Sequence, residues 1–286
     1  MPAYTKNHVV PVALLQGFTD SVGRLCVFQV KARRSLRNQL PENVAHHSKF
    51  YWVEGAADPA VLEKGLGADV DGPAAVVFER LRERPRVPNV RELHDLLVFI
   101  AFQMVRIPAF REFQRQLMKD SIPGMLADDF TRREFDAGVK QFGDPSVSYE
   151  EYRRMVRTGE IPFPLSRYEE LRSMTQQVEA IVPWLFKRRW SVRVVPPGTP
   201  LLVSSDVPVK SITRTSDGFS VTTGRLGWPS TEIFLTISSH ALVHGRFSPP
   251  RVSPLTPAAI RDFNRATMWT ATRIFSAEPH VAGIET

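Results

Sequence analysis

One cysteine, Cys26, occurs in 286 residues, which excludes a disulfide within the chain and any zinc centre built on paired thiolates. Cys26 sits in the alternation LCVFQV and reads as a small buried hydrophobe. A reducing compartment, the cytoplasm, is the expectation. Long hydrophobic runs are also missing: none approaches the roughly 20 apolar residues of a spanning helix. The opening MPAYTKNHVVPVALLQGF has neither a charged leader nor a long apolar run, so neither secretion nor membrane insertion is expected. HExxH, GxSxG and Walker sequences do not occur, and Gly65-Leu66-Gly67 follows no strand, which argues against the common nucleotide-cofactor folds. Acidic residues are in deficit, 30 against 37 lysines and arginines, for a formal charge of +7. That balance fits contact with an anionic small molecule or nucleic acid without requiring either.

What is present centres on residues 93–118, LHDLLVFIAFQMVRIPAFREFQRQLM. Residues 96–105 are apolar on every side apart from Gln103, the pattern of a helix in the middle of a domain. Asn89 is placed to cap it. Gln103 and Arg106 are three residues apart and share a face, so a buried guanidinium is expected, and it needs a carboxylate. Asp206, at the end of the apolar run Leu201-Leu202-Val203 and before Val207-Pro208, is the expected partner.

Before this helix, Pro11 opens a short helix, with His8 just ahead of it. Residues 25–30 alternate as a strand. The basic run 31–37 reads as an exposed loop, and Phe50-Tyr51-Trp52-Val53 as a second strand. Residues 59–82 read as two helical pieces broken near Asp71 by Gly65, Gly67, Gly72 and Pro73.

Beyond it, Ile122-Pro123-Gly124 should end the helix. Two charged amphipathic helices follow at 125–142 and 148–156, the second with a Ser148/Glu151 capping box. Ser166 should cap a long helix reaching residue 189, kinked at Pro183. From Trp190 the pattern turns to β: a hairpin of 192–195 with 201–204 around Pro196-Pro197-Gly198, another of 211–214 with 219–222, and strands at 232–237 and 241–247. A last helix starts at Thr256-Pro257 and runs to residue 276. The fold class is α+β, helical over the first two thirds around the buried helix, with a C-terminal antiparallel sheet that the N-terminal strands join and a final packing helix. The domain expectation is a single unit, 1–286, with 119–165 a helical lid or insertion.

The fragments NHVVPVALLQGF, FYWV, FQMVRIPAFR, LLVSSDVPV and IRDFNRATMWTATRIFS span nearly the whole chain. Together they resemble the bacterial and fungal family known as domain of unknown function 4238. The resemblance implies a shared fold and polar cluster: His8 and Pro11 at the opening, Gln103 and Arg106 on the central helix, Ser205 and Asp206 before the proline, and an early acidic position, usually glutamate, at Asp71. It implies no reaction.

Two readings follow. In the first, the chain is a hydrolase acting on a phosphate-containing or other anionic substrate. His8 and Asp206 are then catalytic, Asn7, Gln103, Arg106 and Ser205 bind substrate, and Asp71 with Asp206 can hold a divalent metal for nuclease-like cleavage. In the second, the cluster is structural and the basic stretches 31–37, 82–91 and 187–193 bind nucleic acid or an acidic partner. The paired histidines His46-His47 and His240 with His244 lack companions at metal spacing.

Overall fold

Asn89 starts the helix that the core is built on. Its side chain accepts from the Glu92 N–H and the Glu92 carboxylate accepts from the Asn89 N–H, each at 3.0 Å, a complete capping box. Leu96, Leu97, Phe99, Ile100, Ala101, Met104 and Val105 on this helix are all buried, and Phe99 meets Phe78 edge-on at 4.9 Å.

The computed structural model describes residues 6–53, 55–142, 147–161, 167–215, 218–222, 225–249 and 254–279. In chain order the elements are β1 (Lys6–His8), α1 (Val12–Leu15), β2 (Leu25–Gln29), β3 (Arg34–Gln39), β4 (His46–Ser48), α2 (Val61–Leu66), α3 (Gly72–Glu83), α4 (Val90–Val105) and α5 (Pro108–Asp129). They continue with α6 (Arg132–Phe142), α7 (Tyr149–Thr158), α8 (Arg167–Phe186), β5 (Arg189–Val194), β6 (Ser204–Ser205), β7 (Val209–Thr215), β8 (Gly218–Thr222), β9 (Thr231–Ser238), β10 (Ala241–Arg246), α9 (Pro257–Thr270) and β11 (Arg273–Ser276). The fold is α+β, with helices concentrated in the first two thirds and an antiparallel sheet followed by α9 in the last third. No single helix among the described residues is long and apolar enough to cross a membrane. Two compact units emerge: Met1–Ile107 with Met174–Thr286, and Pro108–Ser173.

In the first unit three antiparallel sheets form: β5-β10-β9-β7-β8, β3-β2-β11-β6 and the pair β1-β4. The N-terminal strands therefore do not join the large sheet, contrary to the expectation from sequence. They build their own with the last strand of the chain. Residues 273–276 belong to that strand rather than to the final helix, which stops at Thr270. The stop is chemical: the Asp206 carboxylate accepts from the Thr272 and Arg273 N–H groups at 3.0 and 3.2 Å and from the Thr272 hydroxyl, holding the chain extended. The basic run also differs, since from Arg34 onward it is strand β3, paired backbone to backbone with β2. The expected strand 50–53 is a turn region, and β4 precedes it. The hairpin 192–195/201–204 does not form, because β5 pairs with β10 and Ser204–Ser205 with β11.

Two close approaches fix how the layers meet. A Cβ on Gly17 would lie 2.2 Å from the Ile237 carbonyl oxygen, so only glycine lets this turn reach β9. Beside it Arg82 donates to the carbonyls of Ile237, Ala13 and Leu14 at 2.7–3.0 Å, tying α3 to α1 and β9. Burial without a bonded carboxylate pulls its pKa down to about 10.

In the second unit, α5 runs straight through Pro123, where a break was expected. The unit packs around Phe130, Phe135, Tyr149 and Tyr152, with ring centroids 5.4–6.3 Å apart. Ser148 caps α7 by accepting from the Glu151 N–H at 3.2 Å. The expected cap at Ser166 lies outside the described residues. In α8, Pro183 sits inside a continuous helix.

Candidate functional site

β1 pairs with β4 in the register Asn7↔His47 and His8↔His46. β4 is bracketed by Ala45 (φ 54°) and Lys49 (φ 51°), both in the left-handed region, which costs about 1–2 kcal/mol for a residue with a Cβ. Ala45 is fully buried and its carbonyl accepts from the Val9 N–H at 2.9 Å. This backbone arrangement aims Asn7 inward: its Oδ1 accepts from the Tyr51 N–H at 3.2 Å.

Opposite β1 lies the C-terminal end of α4. Gln103 donates through Nε2 to the Val9 carbonyl and accepts at Oε1 from Arg106 Nε, each at 2.8 Å. Arg106, 0% exposed, donates from Nη1 to Asp71 Oδ1 at 2.8 Å, and its guanidinium carbon stands 5.1 Å from the Phe99 ring centroid. The remaining nitrogen, Nη2, is buried and has no hydrogen-bond partner among the described residues. Asp71 closes a π-helical stretch, Gly67–Asp71, between α2 and α3. Such bulges re-aim a side chain within an otherwise regular helix.

The carboxylate that pairs with Arg106 is thus Asp71 and not Asp206, a correction to the sequence expectation. Asp206 bonds Thr272 and Arg273 as described, and Ser205 bonds Val207 and Lys210. Among the described residues neither is hydrogen-bonded or ion-paired to His8, Asp71, Gln103 or Arg106. Asp71 and Asp206, expected as a cation pair, are each engaged elsewhere. Among the described residues no group of three or more His, Cys, Asp or Glu side chains converges to hold a metal ion.

Sequence reasoning missed Glu63. Its carboxylate accepts from the Asn7 side chain and the His8 N–H and lies close to Asp71 and Arg106. Burial, helped by the Asp71 charge, pushes its pKa up to about 7, against the pull of Asn7, Arg106 and the His8 N–H. The available signal was periodic: Glu63 lies seven and eleven residues before Val70 and Ala74, which are both buried, so it belongs to an inward stripe. His8, half-buried, has Nε2 at 3.2 Å from the Glu42 carbonyl oxygen. A carbonyl only accepts, so Nε2 carries the proton and Nδ1 is left with its lone pair. Burial holds the ring below its ordinary pKa. The His46 ring meets it edge-on at 5.9 Å.

The assembled site has a closed back of Asn7, Gln103 and Arg106, which are 2%, 1% and 0% exposed. Its front of His8, Glu63 and Asp71 is partly open, with the Asp71 side chain 24% exposed. It offers a neutral base and a carboxyl group that titrates near neutrality, with the charge of the enclosed Arg106 behind them.

The basic stretches prove partly internal: Arg82 and Arg188 bond backbone carbonyls, Arg86 is a two-bond partner of Glu92, and Arg193 donates to the Pro254 carbonyl. No match was found among curated proteins or among solved structures. The family pattern described as "Protein of unknown function (DUF4238)" matches residues 6–279. The chain, matched over nearly its whole length, belongs to the DUF4238 family.

Proposed function

We propose that this chain is a hydrolase of phosphate or other anionic esters, with His8, Glu63, Asp71 and Arg106 as its working groups. The observation that carries the reading is the convergence of five side chains, Asn7, His8, Glu63, Asp71 and Gln103, from four separate segments around the fully buried Arg106. The Asp71–Arg106 pair is formally neutral and Glu63 is part protonated near pH 7. A doubly charged monoester would therefore meet little net attraction, and a singly charged diester fits better. In the step we envisage, His8 Nδ1 takes a proton from water as its oxygen bonds to phosphorus. The phosphorus–oxygen bond to the leaving group breaks, and the Glu63 carboxyl proton passes to that oxygen. Arg106, enclosed behind Asp71, supplies its positive charge from within the protein as charge builds on a non-bridging oxygen. Asp71 and Gln103 are positioning residues that fix the guanidinium. Cys26, a free buried thiol, fits a cytoplasmic enzyme.

A second reading, that the cluster is purely structural and the protein binds through its surface, draws on the burial of Asn7, Gln103 and Arg106. One experiment separates the two. Turnover of bis(4-nitrophenyl) phosphate, 4-nitrophenyl phosphate and 4-nitrophenyl acetate is measured with and without Mg²⁺ or Mn²⁺, for the native chain, His8→Ala and Glu63→Gln. The enzyme reading expects diester hydrolysis that falls about 100-fold or more in both variants while their melting temperatures stay near the native value. Absence of turnover of all three substrates, or variants as active as the native chain, refutes it.

A further inference from the structure

We infer that a second site, a cavity of about 330 Å³ between the five-stranded sheet and α9, binds an uncharged, mainly apolar molecule with one hydroxyl or amide head. None of its lining residues belongs to the His8–Arg106 cluster.

The register places the walls. Across the sheet, Lys210, Phe234, His244 and Ser191 form one row, and Ile212, Glu232 and Arg246 the next. All share the face that α9 covers, since Phe263 on α9 meets Phe234 at 5.9 Å and Thr270 accepts from Lys210 at 2.7 Å. Ile212, Phe234 and Leu242 from the sheet and Leu255, Phe263 and Ala266 from the other side make the lining mostly apolar. The volume lies at the lower end of the roughly 300–1,000 Å³ of small-ligand pockets.

The polar lining decides the ligand class. Arg193 and Glu232 face the cavity from the sheet with opposite charges, and Asp262, on the helix side, has Arg265 at 3.8 Å. Charges of both signs face the cavity, so an entering carboxylate meets Glu232 and an entering ammonium meets Arg193. A hydroxyl or primary amide meets neither penalty, because it can donate to Glu232 and accept from Arg193. Near Glu232 stand His244 Nε2 at 3.3 Å and Arg246 Nε at 3.8 Å, neither closing a hydrogen bond to it. The His244 ring lies flat against Phe234 at 4.4 Å with an interplanar angle of 10°. The aromatic wall is therefore a stacked, preformed surface with the carboxylate beside it, which lowers the ordering cost of binding.

The test is isothermal titration of the full chain with 1-heptanol, heptanoate and heptylamine at equal salt. Saturable heptanol binding, at least about tenfold tighter than either charged analogue, is the expected result, a gap of about 1.4 kcal/mol. Ala259→Leu, which fills the cavity from a half-exposed helix position, should abolish it. Ile212→Phe fills it from the sheet and serves if the first variant does not fold. No saturable binding, equal or tighter binding of a charged analogue, or unchanged affinity in a folded filled variant overturns the inference.

Discussion

Lys210 is buried, donates to Ser205 Oγ at 3.1 Å, to Thr270 Oγ1 at 2.7 Å and to the Val207 carbonyl, and among the described residues no carboxylate is bonded to it. Burial pulls its pKa down to about 7, with only the Asp206 charge opposing. In the unfolded chain the amine titrates near 10.4. Between those values the unfolded state holds a proton that the native state lacks, so stability rises with pH at up to about 1.4 kcal/mol per unit. The contribution is complete above the unfolded pKa and is lost as pH falls through the folded one. Lys210→Met keeps the stem and removes the titration. It leaves little unsatisfied, because Ser205 Oγ already bonds Val207 and the Thr270 hydroxyl has the Ala266 and Thr267 carbonyls at 3.4 and 3.3 Å. Urea unfolding of both proteins from pH 7.5 to 9.5 should show the native chain gaining about 2.5 kcal/mol on the variant. Taking the difference cancels every other titrating group. Parallel curves would mean that the ammonium is charged in the fold and that its three acceptors offset its desolvation.

Three further outcomes are expected. Gly17→Ala drives a methyl against the Ile237 carbonyl oxygen and should cost more than about 2 kcal/mol in chemical denaturation; a loss below 0.5 would show that the turn can move. Arg106→Ala removes the partner of Asp71 and Gln103 and should cost on the order of 3 kcal/mol, at the low end for a buried pair because Asp71 is partly solvated; a stable variant would contradict the packing described. Because the Glu63 pKa is raised to about 7, its favourable contribution is present below the unfolded value near 4.3 and is lost as pH rises through 7. Glu63→Gln should therefore flatten stability between pH 4.5 and 7, and an unchanged profile would place the carboxyl in solvent.

Much of this was legible where local chemistry and tertiary position agree. The Asn89/Glu92 box and an all-round apolar run define α4 without reference to the rest of the chain, and residues 218–222 pair with β7 where the alternation placed them. β3 was hidden because RSLRNQ has no apolar face; an edge strand held only by main-chain bonds to β2 leaves no such trace. β11 was hidden because its apolar residues also suit a helix, and only the distant Asp206 stops that helix. In the site, Gln103 and Arg106 were readable from spacing, but the choice of carboxylate was not. Asp71 and Asp206 are equivalent on paper, and a π-turn and two backbone N–H groups decide between them. Glu63, in the glycine-broken VLEKGLG, looks like a solvated helix face until the buried stripe through Val70 and Ala74 is traced.

The pairing of β11 with β2 also sets a schedule. On the ribosome, Cys26 emerges about 250 residues before its partner Ser276, and at about 5–20 residues per second that is on the order of 10–50 s. Throughout, the inner edge of the β2–β3 hairpin stands with open hydrogen-bonding groups, an invitation to wrong pairing. Nascent chains arrested before residue 273 should expose that edge to a strand-binding chaperone, and chains released beyond residue 276 should not.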